Sequence, residues 1–125
     1  MLSDALSMTS NWIKGRIHLA EVPKDFRGIV RVRLLDTSRA DAPSSVVAEE
    51  IIREPLARLQ GGSDLDFRIP LAEKLPVGIS YSLHAHVDCD ASGLVKLGDQ
   101  ITVQSYPFTL GDIDRSHELQ LKRVE

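Results

Sequence analysis

Polar and apolar residues alternate along much of this chain. From Ile79 to Asp88, residues Ile79, Tyr81, Leu83, Ala85 and Val87 point one way, and Ser80, Ser82, His84, His86 and Asp88 point the other, because successive side chains on a strand face opposite sides. The pattern predicts a strand with one face in a core and one in water. Leu75 and Pro76, shortly before Tyr81, fit a tyrosine corner, in which the phenol bonds back to upstream backbone. The same period of two marks Ile13, Gly15, Ile17 and Leu19 against Lys14, Arg16 and His18. It recurs in Val30, Val32 and Leu34 against Arg31, Arg33 and Leu35, then in Leu65, Phe67 and Ile69, and in Leu119 and Leu121. Residues 44–53 carry Val46, Val47, Ile51 and Ile52 and predict a third strand; a helix over 44–60 is disfavoured because Pro55 would interrupt it. Leu94 to Tyr106 predicts a further strand with Ile101, Val103 and Ser105 inward, after a bend at Gly98 and before Pro107.

About seven short strands separated by turn signals predict an all-β fold, an antiparallel immunoglobulin-like or transthyretin-like β-sandwich. The first two strands are expected to pair as a hairpin. Residues 1–11 lack sustained periodicity and read as a flexible leader, leaving 12–125 as a single domain. A chain of 125 residues suits one domain that buries roughly two thirds of its unfolded surface. Its 15 basic and 18 acidic side chains form no long block of one sign, so no nucleic-acid footprint is expected. Cys89 is the sole cysteine, which excludes an internal disulfide. The start has an early acid and no basic segment, which predicts a cytoplasmic location for the sequence as given, or a periplasmic one with an upstream signal. No uncharged apolar run approaches the roughly 20 residues of a membrane helix, so no transmembrane segment is expected.

His84 and His86 leave the same strand face roughly 7 Å apart by strand rise, making them the metal candidates, with a third ligand to come from Asp88, Cys89 or another strand. The competing reading is a solvated strand face, and no tight metal site is expected. Cys89 would be reactive only beside a cation or a helix N-terminus. Asp36 and Asp41 bracket a turn and read as caps of turn backbone. Asp112, Asp114 and His117 lack the oxygen-ligand spacing and central glycine of a calcium loop and read as a polar connection. Ser44 and Ser45 have no nucleophile-elbow setting, and Gly61-Gly62 has no following Lys-Ser/Thr pair for a phosphate loop. Arg31 and Arg33 form an outward basic pair beside which Glu49 can sit. No catalytic constellation emerges, and neither a catalytic residue nor a cofactor is expected.

Three segments resemble a family of small bacterial domains named after YbaY and YscW, the latter a lipoprotein chaperone, or pilotin, of type III secretion. They are Val32-Arg33-Leu34-Leu35-Asp36-Thr37-Ser38-Arg39-Ala40-Asp41-Ala42-Pro43 running on to Val47-Ala48-Glu49-Glu50, then Phe67-Arg68-Ile69-Pro70 with Tyr81-Ser82-Leu83-His84-Ala85-His86-Val87, and Ser105-Tyr106-Pro107-Phe108-Thr109-Leu110-Gly111. The resemblance implies a β-sandwich without catalytic residues and, for the pilotin branch, a role in stabilising and escorting a secretin subunit to the outer membrane. Pilotins carry a signal peptide and a lipidated cysteine, and the sequence as given shows neither. The expectation is therefore a non-catalytic, chaperone-like module with a protein or peptide partner, bound at an exposed sheet edge or groove. The alternative is a metal-binding protein using the His84/His86 face.

Overall fold

The computed structural model describes residues 12–22, 26, 28–39, 41–60, 62–72 and 74–125; the predicted leader lies outside them. Among these residues the chain is all-β. Its strands are β1 (Trp12–His18), β2 (Ile29–Asp36), β3 (Ser45–Ile52), β4 (Leu59–Gln60), β5 (Asp64–Pro70), β6 (Tyr81–Asp88), β7 (Gln100–Thr102), β8 (Pro107–Phe108) and β9 (Ser116–Arg123). Two single 3-10 turns, Pro55–Arg58 and Leu110–Asp112, are the helical pieces among the described residues.

Hydrogen bonding joins the strands in one path, β3-β2-β6-β7-β9-β1-β5-β4, with β8 alongside β6. The immunoglobulin-like or transthyretin-like sandwich expected from the sequence is therefore corrected to a single sheet that curls into a nearly closed barrel. Alternation identifies a strand's buried face but is silent on its neighbours, and here the neighbours are distant in sequence. The expected hairpin between the first two strands is likewise absent: β1 pairs antiparallel with β5 and parallel with β9, whereas β2 lies between β3 and β6.

The core follows the predicted stripes. Ile13 and Ile17 of β1, Val30, Val32 and Leu34 of β2, Leu65, Phe67 and Ile69 of β5, Tyr81, Leu83, Ala85 and Val87 of β6, and Leu119 and Leu121 of β9 are all buried. Gly15 sits directly across from Phe67, and a Cβ there would lie 2.6 Å from the Phe67 ring and 2.0 Å from the His117 carbonyl oxygen. The missing side chain leaves room for the ring. Tyr81 forms the predicted corner, its hydroxyl donating to the Pro76 carbonyl at 2.9 Å; burial pushes the phenol pKa up. Phe108 on β8, paired with Tyr81, is buried in the same core.

The sixth predicted strand is corrected in extent and in phase. β7 is three residues long, with Gln100 and Thr102 buried, while Val103 is exposed and Ile101 is half-buried. The inward Gln100 is tolerated because its amide accepts from the Ala20 N–H at 2.6 Å and donates to the Glu21 carbonyl at 2.9 Å. Two polar side chains so satisfied reverse the phase that aliphatic residues predict.

Candidate functional site

The barrel does not close by a ladder. β3 ends one side of the path and β5, with the short β4, ends the other, and the two lie side by side. On β3 the inward positions are those opposite Val30, Val32 and Leu34, namely Ile52, Glu50 and Ala48. Glu50 is thus an acid on the core side of an edge strand. Its Oε1 accepts the Arg68 backbone N–H of β5 at 2.6 Å, and its Oε2 accepts from Arg58 Nη1 at 3.3 Å. Arg58 in turn donates to the Asp66 carbonyl at 3.1 Å. Two side chains thereby occupy main-chain positions on β5 that a neighbouring strand would bond. Natural proteins often cover sheet edges in this way with charged groups. Glu50 keeps 19 % of its side-chain surface exposed, so water reaches this junction.

Beside the seam, a cleft of about 470 Å³ runs over β5 towards β1 and β9 and is lined by Lys14, Glu50, Arg58, Asp66, Arg68 and Ser116 among others. Lys14 lies opposite both Arg68 on β5 and Ser116 on β9. The Arg68 guanidinium stacks over the Trp12 ring, 4.3 Å from its centroid. Further along the same outer face, Arg16 pairs with Asp66 at 3.2 Å. His18 stands between Asp64, 2.8 Å from Nδ1, and Glu118, 2.6 Å from Nε2. Those two hydrogen bonds raise the imidazole pKa, since ionised carboxylates on both nitrogens favour the doubly protonated ring.

The metal candidates separate. His84 is half-buried across from Arg33, and its pKa is lowered by burial and by His86 and Arg33. His86 and Asp88, expected on a solvated face, are instead buried beneath residues 89–99. Their phase is as predicted and only their burial differs, because the connection after β6 folds back over its outer face. His86 Nε2 donates to Asp99 Oδ2 at 2.7 Å. Asp99 also accepts the N–H groups of Cys89 and Lys96, each at 3.1 Å. Asp88, fully buried, accepts the N–H groups of Ser92 at 3.2 Å and Gly93 at 2.8 Å and the Arg31 Nε at 3.2 Å. Ligand atoms of His86, Asp88 and Asp99 lie within 4.8 Å of one another. Each carboxylate oxygen is nevertheless engaged by a donor, and a cation entering here would have to displace backbone N–H groups and face the Arg31 guanidinium. The arrangement pins a loop.

Asp99 is the member that strand patterning does not single out; the signal for it is the Asp99-Gln100 pair interrupting an apolar stretch just after Gly98. Burial pushes its carboxyl pKa up, but the bonds from His86 and the two backbone N–H groups outweigh it and hold the value below the ordinary carboxylate range. The Cys89 thiol pKa is pushed up to about 11, first by burial and then by Asp99, which disfavours the thiolate. Asp36 accepts the Ser38 N–H at 2.9 Å, the turn cap the sequence predicts. Asp112 closes a capping box with Thr109, and its carbonyl lies 2.9 Å from His117 Nε2. Arg33 pairs with Glu49 across β2 and β3, as expected of the outward basic pair.

No helix among the described residues is long and apolar enough to cross a membrane. No protein-family model and no curated protein matches the chain. Among solved structures, the fold is similar to that of an alternative pilotin from the type II secretion system of Vibrio cholerae, with 23% sequence identity, a TM-score of 0.66, and coverage of 91% of this chain and 96% of that one. The all-β, pilotin-like fold is therefore common to the two chains.

Proposed function

We propose that this protein is a non-catalytic, pilotin-like binding module of the YbaY/YscW kind, which takes up an extended segment of a secretin subunit along the seam between β3 and β5. The observation that carries the reading is the side-chain capping of β5. Glu50 and Arg58 bond the Arg68 N–H and the Asp66 carbonyl, the groups that an added strand would bond through its backbone. Exchange of side-chain bonds for strand bonds keeps the β5 edge groups satisfied before and after, so the cost of uptake is that of parting β3 from β5. The pilotin fold of the Vibrio cholerae protein supports the assignment. So does the chemistry of the polar cluster at His86, where the acceptors are engaged by loop backbone.

Amide exchange of the full chain, alone and with a purified secretin subunit, tests this. Protection is expected at Ser45–Ile52 and around Asp66 to Arg68. Protection confined to the hairpin tip at Asp90 to Gly93, or no complex at all, would refute it.

A further inference from the structure

We propose that the Lys14–Arg68 pair receives a carboxylate of the bound polypeptide, so that the seam prefers an extended segment carrying an acidic side chain. This rests on the reading of the seam as a polypeptide site and names what that site selects.

Lys14 and Arg68 are direct cross-strand partners on the outer face of β1 and β5. Like charges so placed destabilise a sheet pair. The neighbouring acids are committed elsewhere: Asp66 to Arg16, and Glu50 to Arg58 and the Arg68 backbone N–H. Neither Lys14 nor the Arg68 guanidinium has an ion-pair partner among the described residues. The next outward residue across β1 is Ser116, a hydroxyl that tolerates an anion nearby. Stacking on Trp12 holds the guanidinium in place, so less rotamer freedom is lost when it binds a planar acceptor.

Geometry favours a peptide carboxylate over a polyphosphate backbone. Two cations on one cross-strand pair make a point recognition site, whereas nucleic-acid binding uses a stripe of basic groups, and the chain carries a net charge of −3. The pair also lines the same cleft as Glu50 and Arg58. A strand added at β5 would therefore pass within reach of it.

Trp12 is the sole tryptophan of the chain, so its fluorescence reports the stacked guanidinium directly. The test titrates the full chain with the blocked peptide acetyl-Thr-Val-Glu-Val-Thr-Val-amide and with its Glu-to-Gln counterpart, following Trp12 emission and backbone amide shifts. The acidic peptide is expected to bind about tenfold more tightly, the scale of a charge-assisted bond. Lys14→Gln is expected to reduce that preference, read as the ratio of the two peptides' affinities for the same variant. Equal binding of the two peptides with shifts at β3 and β5 would overturn the carboxylate site and leave the seam standing. Shifts of Trp12 and Arg68 with the acidic peptide but none at β3 would keep the carboxylate site and remove the seam. Silence of both regions with both peptides would overturn both. A short single-stranded oligonucleotide that binds more tightly than the acidic peptide would reassign the pair to phosphate. A change in Trp12 emission on Asp4→Asn in the free protein would show that the chain's own leader fills the site, and would likewise overturn it.

Discussion

At the seam and beneath the 89–99 connection, one device recurs: a side-chain carboxylate accepts main-chain N–H groups that have no strand partner. The two places differ in what surrounds it. Glu50 is reached by water and bridges two strands that no backbone ladder joins. Asp88 and Asp99 are at most 2 % exposed and together accept four backbone N–H groups, a guanidinium and an imidazole. In a low dielectric such bonds are strong, and their loss leaves several donors stranded. Burial thus makes the loop permanent and leaves the seam exchangeable, a division that suits a scaffold beside a binding edge.

The sharpest way to break this contrast is Asp99→Ala. It strands the His86 Nε2–H and two backbone N–H groups in a dry site, and should cost about 3 kcal/mol or more in urea unfolding; a loss under about 1 kcal/mol would show that water enters the loop as it enters the seam. The pH dependence has a definite sign. The folded pKa of Asp99 lies below its unfolded value of 3.8, so its contribution is complete above that value and is lost as the pH falls through the folded one. The Ala variant should lack that part of the acid transition.

Tyr81→Phe supplies an intermediate reference, because it removes one neutral bond to the Pro76 carbonyl and leaves a single unpaired acceptor. A loss of about 1 kcal/mol is expected in the same unfolding experiment, and equal stability of the two proteins would remove the corner's role. Glu50→Gln should have the smallest effect, about 0.5 kcal/mol, since solvent replaces part of what the charge provided. Its signature is local instead: faster amide exchange at Arg68 with core protection unchanged. A global loss as large as that of Asp99→Ala would mean that the seam is a structural closure and not an exchangeable edge.

The alternating stripes that form the wall of the barrel were legible because each is long enough to show a period of two and each buries aliphatic or aromatic residues. The closure was not, since pairing of β1 with β9 joins residues about a hundred positions apart and leaves no local trace. β7 was misphased because three residues carry too little pattern and its inward members are polar. Glu50 escaped notice because Ser45 to Ile52 does not alternate, and only its pairing with β2, which sets it opposite the inward Val32, shows that it faces the core side. The burial of His86 and Asp88 depended on a loop that folds back over their face, and its anchor, Asp99, lies eleven residues beyond Asp88. Lys14 and Arg68 were both legible as outward positions. Their meeting across the sheet was not.

The place of β9 in the sheet has a consequence for biosynthesis. It alone joins β7 on one side to β1 on the other, so a chain cut short before Ser116 holds two disconnected pieces, β3-β2-β6-β7 and β1-β5-β4, each with unpaired edges. Until β9 emerges, the barrel is unable to close, and its sticky edges stay open to whatever meets the emerging chain. Closure of the barrel is therefore completed by β9, the last of its strands to emerge.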